Sequence, residues 1–289
     1  AVQISAMYTV ETICVCGAGT MGSGIAQVAA QAGFYTILFD LNATVLDKAA
    51  QSIHTSLAQL EAKGRLKEPA ADVYARIQFT GDLQLCIADL IIEAIIEQTN
   101  AKVALFNQLA ELNHSETIFA TNTSSISVSA IAEKVVNPSR VAGMHFFNPA
   151  PLMKLVEVIR GEQTSETVIN MLVDITKRMQ KVPVICKDAP GFIVNRVARH
   201  YYLEAMQLVE QGLADPATID QVMEASGFKM GPFKLMDLIG MDINYGVSQI
   251  VWEALGKPER LTPSPVQAAK VAAGELGRKT GKGFYDYSK

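Results

Sequence analysis

Residues Thr12 to Gly22 read TICVCGAGTMG: a short run of β-branched and small apolar side chains passes directly into a glycine-spaced turn, and the helical pattern Met21–Ala32 follows. A G-x-G-x-x-G spacing says little alone, but between a strand and a helix it marks the first βα turn of a dinucleotide-binding fold. Each glycine has its own task there. Gly17 permits the tight turn, Gly19 lets the backbone approach a pyrophosphate, and Gly22 lets helix and strand pack closely. Thr20 and Met21 complete the turn, where the helix start offers free N–H groups to an anion. The competing reading is a glycine-rich turn with no ligand. Roughly 20 residues further on, Asp40 ends the next apolar run, where a carboxylate accepts hydrogen bonds from the adenosine ribose and repels a 2′-phosphate. Leu41 and Asn42 follow, with no arginine to hold such a phosphate, so the site reads as one for NAD rather than NADP.

Outward from this segment, strand-like runs recur at Thr36–Phe39, Ile77–Thr80, Leu90–Ile95, Thr117–Thr121, Arg140–Phe146, Leu155–Ile159 and Val182–Cys186. Longer amphipathic segments at Asn42–Lys63 and Ala101–Leu112 separate some of them. Such alternation predicts βαβ units and a parallel sheet buried on both faces. After Cys186 the strand signals stop, and Pro190-Gly191 precedes helical patterns from Phe192 to Gln211 and onward to Ala273. The expected architecture is α/β: a Rossmann-type dinucleotide-binding domain over 9–187, then a smaller all-helical C-terminal domain over 188–289.

Among the 289 residues, 49% are hydrophobic and 19% charged, and the formal net charge is −4. That balance gives no electrostatic pull toward nucleic acid. No apolar run reaches the roughly 20 residues of a membrane span. Cys14, Cys16, Cys86 and Cys186 match no metal-ligand spacing and read as reduced core residues, which implies a reducing compartment, the cytoplasm. No metal is expected. Ala1 to Ala6 reads as a processed or appended end ahead of Met7 rather than a signal, because it lacks a basic n-region.

Chemistry must be sought apart from the fold. The informative stretch is Asn122 to Glu157. Asn122-Thr123-Ser124-Ser125 follows one predicted strand, His145-Phe146-Phe147-Asn148-Pro149 follows another, and Glu157 lies on the next. Strand ends are where such sheets bind ligands. His54 and His200 fall in helical segments and His114 near a helix end, so these read as surface or packing residues. Only His145 sits among polar neighbours suited to chemistry. A structural ion pair or a satisfied core histidine is the alternative for His145 and Glu157, and a helix-capping role is the alternative for Asn195.

GAGTMGSGIA, EAIIE, NTSS, MHFFNPAPLMKLVEVIRG, DAPGFIVNR, GPFKLMDLIG and GRKTGKGFYDY occur in that order from Gly17 to Tyr287. In this ordered set the chain resembles the 3-hydroxyacyl-CoA dehydrogenase family, and most closely its bacterial 3-hydroxybutyryl-CoA dehydrogenases. The resemblance runs from about Val10 to Lys289. It implies that His145 is the catalytic acid/base, Glu157 its partner, and Ser124 and Asn195 neighbours of the substrate oxygen. It also implies that Glu97, Lys102, Ser124, Asn148 and Lys279 line the NAD site with Asp40. Ser56 and Lys63 fall at the family's coenzyme A contact positions, although HTSLAQLEAKGRLK around them matches only loosely. Without the resemblance, Lys63, Arg65 and Lys67 read as a solvated helix end.

The implied reaction is NAD-dependent, reversible oxidation of a short 3-hydroxyacyl-CoA to the 3-ketoacyl-CoA, with 3-hydroxybutyryl-CoA and acetoacetyl-CoA the favoured pair. Three alternatives stand beside it: a 3-hydroxy dicarboxylic acyl-CoA such as 3-hydroxyadipyl-CoA, a non-CoA 3-hydroxy acid, and an NAD-binding protein without turnover. Apolar spacing in Tyr201–Val209 and Ile243–Trp252 reads first as core. Beyond that it suits a homodimer formed through the C-terminal domain.

Overall fold

The structure, a computed structural model, describes residues 8–288. The reading of Ala1 to Ala6 as an appended or processed end lies outside the described residues. The chain divides into two compact units, one ending at Asp188 and one beginning at Ala189.

The first unit is built on an eight-stranded sheet: β1 (Thr12–Cys16), β2 (Tyr35–Phe39), β3 (Ile77–Thr80), β4 (Leu90–Glu93), β5 (Ile118–Thr121), β6 (Val141–Phe146), β7 (Leu155–Arg160) and β8 (Val182–Lys187). Its spatial order is β3-β2-β1-β4-β5-β6-β7-β8. The chain therefore reverses direction across the sheet between β1 and β4, the switch point at which open α/β sheets bind ligands. Its helices are α1 (Thr20–Gln31), α2 (Ala43–Ala62), α3 (Ala70–Ala75), α4 (Thr99–Leu112), α5 (Val128–Ala132) and α6 (Glu166–Arg178). Side chains alternate across β1, so Ile13 and Val15 join the core beneath α1 and α2, whereas Cys14 and Cys16 join the opposite core with Phe106 and Phe119. The Cys14 and Cys16 sulfurs lie 3.8 Å apart on that face. All four cysteines are free and buried.

Two expectations need correction. β7 runs antiparallel to β6, not parallel. The segment joining them, residues 147–154, is too short for the crossover of a dozen or more residues that a parallel partner requires. β8 is also not buried on both faces: it is an edge strand with Val182, Val184 and Ile185 exposed, and α6 packs beside it.

The second unit is helical: α7 (Val194–Glu210), α8 (Pro216–Ala225), α9 (Pro232–Ile239), α10 (Met241–Ala254) and α11 (Pro265–Ala272). Tyr202, Met206, Phe233, Met236, Met241 and Val251 form its core. The terminal GFYDY segment is held by two buried carboxylates. Asp237 accepts from the backbone N–H of Phe284 (2.8 Å) and Tyr285 (3.0 Å), and Asp220 accepts from the Tyr285 hydroxyl (2.6 Å). No helix among the described residues is long and apolar enough to cross a membrane.

Candidate active site

At the glycine turn, two glycines are demanded by the protein itself and one is not. Gly17 has φ +100°, and a Cβ there would lie 2.5 Å from the Ala94 carbonyl oxygen. A Cβ on Gly22 would come within 1.7 Å of the Gly17 oxygen. Around Gly19, by contrast, a Cβ would meet no protein atom within 4 Å. Its glycine identity therefore points to something outside the chain that must approach closely. The α1 N-terminus has no side-chain cap and no acidic residue in its first turn, so its N–H groups and dipole suit an anion. Asp40 is fixed beside this turn, one carboxylate oxygen accepting from the Ala18 N–H and the other from the Asn42 N–H, both at 2.9 Å. Turn, helix start and carboxylate together fit the ADP half of a dinucleotide.

A buried charge network supports the neighbouring strand ends. Lys102, on α4, is 1% exposed and its Nζ lies 2.5 Å from Glu93 and 3.1 Å from Glu97. Removing an ammonium from water costs several kcal/mol unless carboxylates meet it, and here two do. Glu93 also accepts from the Thr121 hydroxyl at 2.7 Å. Burial works against ionisation of Glu97, but the Lys102 charge and hydrogen bonds from Thr123 and Ser125 outweigh it and hold that carboxyl below its ordinary value. Glu97 in turn accepts from the backbone N–H groups of Ser124 (3.2 Å) and Ser125 (3.3 Å), so it fixes the NTSS loop. The Ser124 hydroxyl itself forms no hydrogen bond among the described residues.

The antiparallel β6–β7 pair accounts for the central contact. His145 and Glu157 are direct register partners, so their side chains emerge on the same face of the sheet. His145 Nδ1 and Glu157 Oε2 are 2.8 Å apart, and the residues are 5% and 1% exposed. The Phe147 ring packs 4.6 Å from the imidazole. The Asn122 side chain accepts from the Phe146 N–H at 2.9 Å and so ties the start of the NTSS loop to the strand end beside His145.

Asn148 lines a groove of about 400 Å³ between α1, α2 and the loop after β6. Ser56 lines it too, and accepts from Gln27 Nε2 at 3.0 Å. Lys63 is exposed at the C-cap of α2 and does not line this groove. In the second unit, Asn195 is the second residue of α7, and its carbonyl accepts from the buried Arg199 guanidinium at 2.9 Å. Lys279 pairs with Asp242 at 2.6 Å. Of the other histidines, His54 packs edge-on against Tyr74, and His200 Nε2 lies 3.3 Å from Arg260. Among the described residues no group of three or more His, Cys, Asp or Glu side chains is placed to hold a metal.

Comparison with known proteins agrees with this geometry. The description "3-hydroxyacyl-CoA dehydrogenase, NAD binding domain" matches residues 12–189, and "3-hydroxyacyl-CoA dehydrogenase, C-terminal domain" matches 191–287. The chain belongs to the 3-hydroxyacyl-CoA dehydrogenase family. It is 46% identical to a 3-hydroxyadipyl-CoA dehydrogenase of Escherichia coli, covering 97% of this chain but 60% of that protein. A probable 3-hydroxybutyryl-CoA dehydrogenase of Deinococcus radiodurans is 43% identical over 94% of this chain and 99% of its own. The crystal structure of an (S)-3-hydroxybutyryl-CoA dehydrogenase from Ralstonia eutropha superposes with a TM-score of 0.92 at 37% identity, covering 97% of this chain and all of that one.

Several residues that shape the site in this family member escaped the sequence reading. Glu93, Thr121 and Arg199 carry no role in that reading, and Asn122 only a place in its polar strand-end segment, yet each holds a neighbour of a candidate residue. A signal existed for Glu93, a carboxylate closing the otherwise apolar run LIIE. Buried charges are rare unless paired, so its partner was worth seeking among the basic residues of the next helix. Arg199 gave no such signal, because its partners are the Asn195 and Asn244 carbonyls and the Ser248 hydroxyl rather than an acid.

Proposed function

We propose that this chain catalyses the NAD-dependent, reversible oxidation of the 3-hydroxyl of a short acyl-CoA. The observation that carries the reading is the buried His145–Glu157 pair at 2.8 Å, in the same unit as the glycine turn. With Nδ1 held by the carboxylate, the imidazole is fixed in the tautomer whose Nε2 accepts a proton. His145 takes the 3-hydroxyl proton in oxidation and returns it in reduction, and Glu157 stabilises the imidazolium in between. Bound NAD supplies the hydride acceptor. Gly17, Gly19, Gly22, Thr20 and Met21 hold its pyrophosphate and Asp40 its ribose, while Glu97 and Lys102 keep the NTSS loop in place beside it. Asn148 completes that site, and Ser124 holds the reacting oxygen.

Cofactor choice is tested at Asp40. Asp40→Ala is expected to weaken NADH binding by about tenfold and to narrow the preference over NADPH, because ribose acceptor and repulsive charge are lost together. Equal affinity of the parent for the two cofactors, measured by fluorescence titration, would contradict the assignment. Acyl preference is tested by the initial rate of NAD reduction with 3-hydroxybutyryl-CoA and 3-hydroxyadipyl-CoA. The higher kcat/KM is expected with 3-hydroxybutyryl-CoA, and the reverse ratio would assign the dicarboxylic thioester instead.

The helical unit also supports a homodimer. Val197 on α7 and Ile243 and Ile250 on α10 are exposed. Light scattering at micromolar concentration should give twice the 31.2 kDa chain mass, and a monomer would refute the assembly. The four reduced, buried cysteines favour a reducing compartment, the cytoplasm.

A further inference from the structure

Three of the four cysteines meet beneath the glycine turn, and the reaction proposed above uses none of them. Cys14 and Cys16 lie on one face of β1 with their sulfurs 3.8 Å apart. Cys86, on the connection from β3 to β4, joins the same core, and its thiol meets both of theirs. No metal accounts for the cluster, since among the described residues these thiols are not placed to hold one. Cys86 directly follows a three-residue 3₁₀ turn, Leu83–Leu85, and both its chain neighbours, Leu85 and Ile87, are exposed although it is itself buried. A small opening of that turn brings its sulfur to solvent. Hydrogen bonds from the Cys14 thiol and the Cys16 thiol hold Cys86 below the ordinary cysteine value, which makes it the nucleophile of the three. Hydrogen bonding to Cys16 and Cys86, together with burial, pushes Cys14 the other way.

The register of the sheet selects the partner of Cys86. Cys14 sits opposite Ile91 and Cys16 opposite Glu93, and Cys86 precedes β4 at its Leu90 end, so Cys14 is the nearer of the two along the strand. We propose that Cys86 and Cys14 form a reversible oxidation site, closing to a disulfide when a hydroperoxide oxidises Cys86. The Cys86 thiolate attacks one peroxide oxygen, an S–O bond forms as the O–O bond breaks, and the hydroxide released takes up the proton that Cys86 gave up. The Cys14 sulfur then attacks the Cys86 sulfenic sulfur, the S–O bond breaks, and the hydroxide departs with the Cys14 proton as a second water. Two thiols thus lose two electrons and two protons, and hydrogen peroxide becomes two waters. In a reducing compartment such a bond is transient, which suits a redox sensor rather than a structural staple. Its effect falls on the cofactor turn. Cys16 ends β1 and adjoins Gly17, whose N–H donates to the Phe39 carbonyl at 2.8 Å and whose α-carbon packs against the Ala94 carbonyl. A cross-link that draws β1 toward residues 82–87 shifts this turn against the end of β4, and the NAD pyrophosphate loses its fit.

Oxidation of the reduced full chain by hydrogen peroxide, followed by denaturation, alkylation of the remaining thiols and peptide mapping by mass spectrometry, tests the proposal in the unsubstituted protein. Each chain should lose two hydrogen masses without cross-linking to another, with Cys14 and Cys86 protected from alkylation and Cys16 and Cys186 labelled. A thiol reductant should restore labelling of all four. NADH affinity, by fluorescence titration of the same samples, should fall about tenfold on oxidation and return on reduction. Cys86→Ala should bind NADH as the reduced parent does and be unmoved by peroxide, whereas Cys16→Ala should still oxidise and lose affinity. Labelling of all four cysteines after peroxide treatment, a gain of oxygen that the reductant does not reverse, or protection of Cys16 in place of Cys14 would overturn the site. A Cys14–Cys86 disulfide that leaves NADH affinity unchanged would overturn its action on the turn.

Discussion

His145→Ala is expected to lower kcat for acetoacetyl-CoA reduction by 10²–10⁴-fold while NADH affinity changes little, because the substitution removes the proton carrier and leaves the glycine turn untouched. Glu157→Gln should be severe for a different reason. The two side chains sit 2.8 Å apart with almost no solvent contact, so the carboxylate charge acts on the imidazolium with little screening. An amide removes that charge and presents an N–H to Nδ1, which favours the tautomer protonated at Nε2 and unable to accept the substrate proton. If the two groups act as one unit, the double variant should be little slower than the slower single one. Additive losses, or a His145→Ala protein that keeps most of its kcat with NADH binding intact, would remove His145 from the chemistry.

The glycine turn offers the second large effect, and it separates folding from binding. Gly22→Ala would push a Cβ to 1.7 Å from a backbone oxygen, which cannot yield unless the Gly17 turn moves. Such overpacking costs about 3 kcal/mol or more, so both melting temperature and NADH binding should fall together. Gly19→Ala should behave in the opposite way. At φ −66° and ψ −170° alanine is unstrained, and no protein atom lies near its methyl group, so the fold should be unchanged or stabilised by about 0.4–1 kcal/mol. NADH binding should nonetheless weaken more than tenfold, since only the cofactor occupies that space. A Gly19→Ala protein with unaltered NADH affinity, by titration alongside thermal melting, would mean that the dinucleotide does not pass over this turn.

The glycine turn, the strand positions and the passage from sheet to helices were legible because each is a local signal: spacing, side-chain period, or Pro-Gly punctuation. The direction of β7 was misread because apolar runs carry no sign of polarity, whereas the length of the 147–154 connection did contain that information. The same strand reversal makes His145 and Glu157 register partners, so their pairing is a product of topology that residue types alone do not reveal. Lys102 shows the other limit. A lysine on a helix ordinarily reads as solvent-facing, and its burial follows from Glu93 and Glu97 on a neighbouring strand and loop. Asp237 likewise became intelligible only when the fold brought it to Phe284 and Tyr285, nearly 50 residues away in sequence.

As proposed above, the buried His145–Glu157 pair serves reduction and oxidation at C3 of an acyl-CoA with NAD as the partner. Steady-state NADH oxidation with acetoacetyl-CoA, compared directly with free acetoacetate, tests it most directly. Saturable turnover with the thioester is expected at a kcat within about 1–10³ s⁻¹, with a kcat/KM for the free acid lower by about 10²-fold or more because the free acid lacks the coenzyme A moiety and its binding energy. Absence of turnover with acetoacetyl-CoA by a folded protein that binds NADH, or equal efficiency with free acetoacetate, would contradict it.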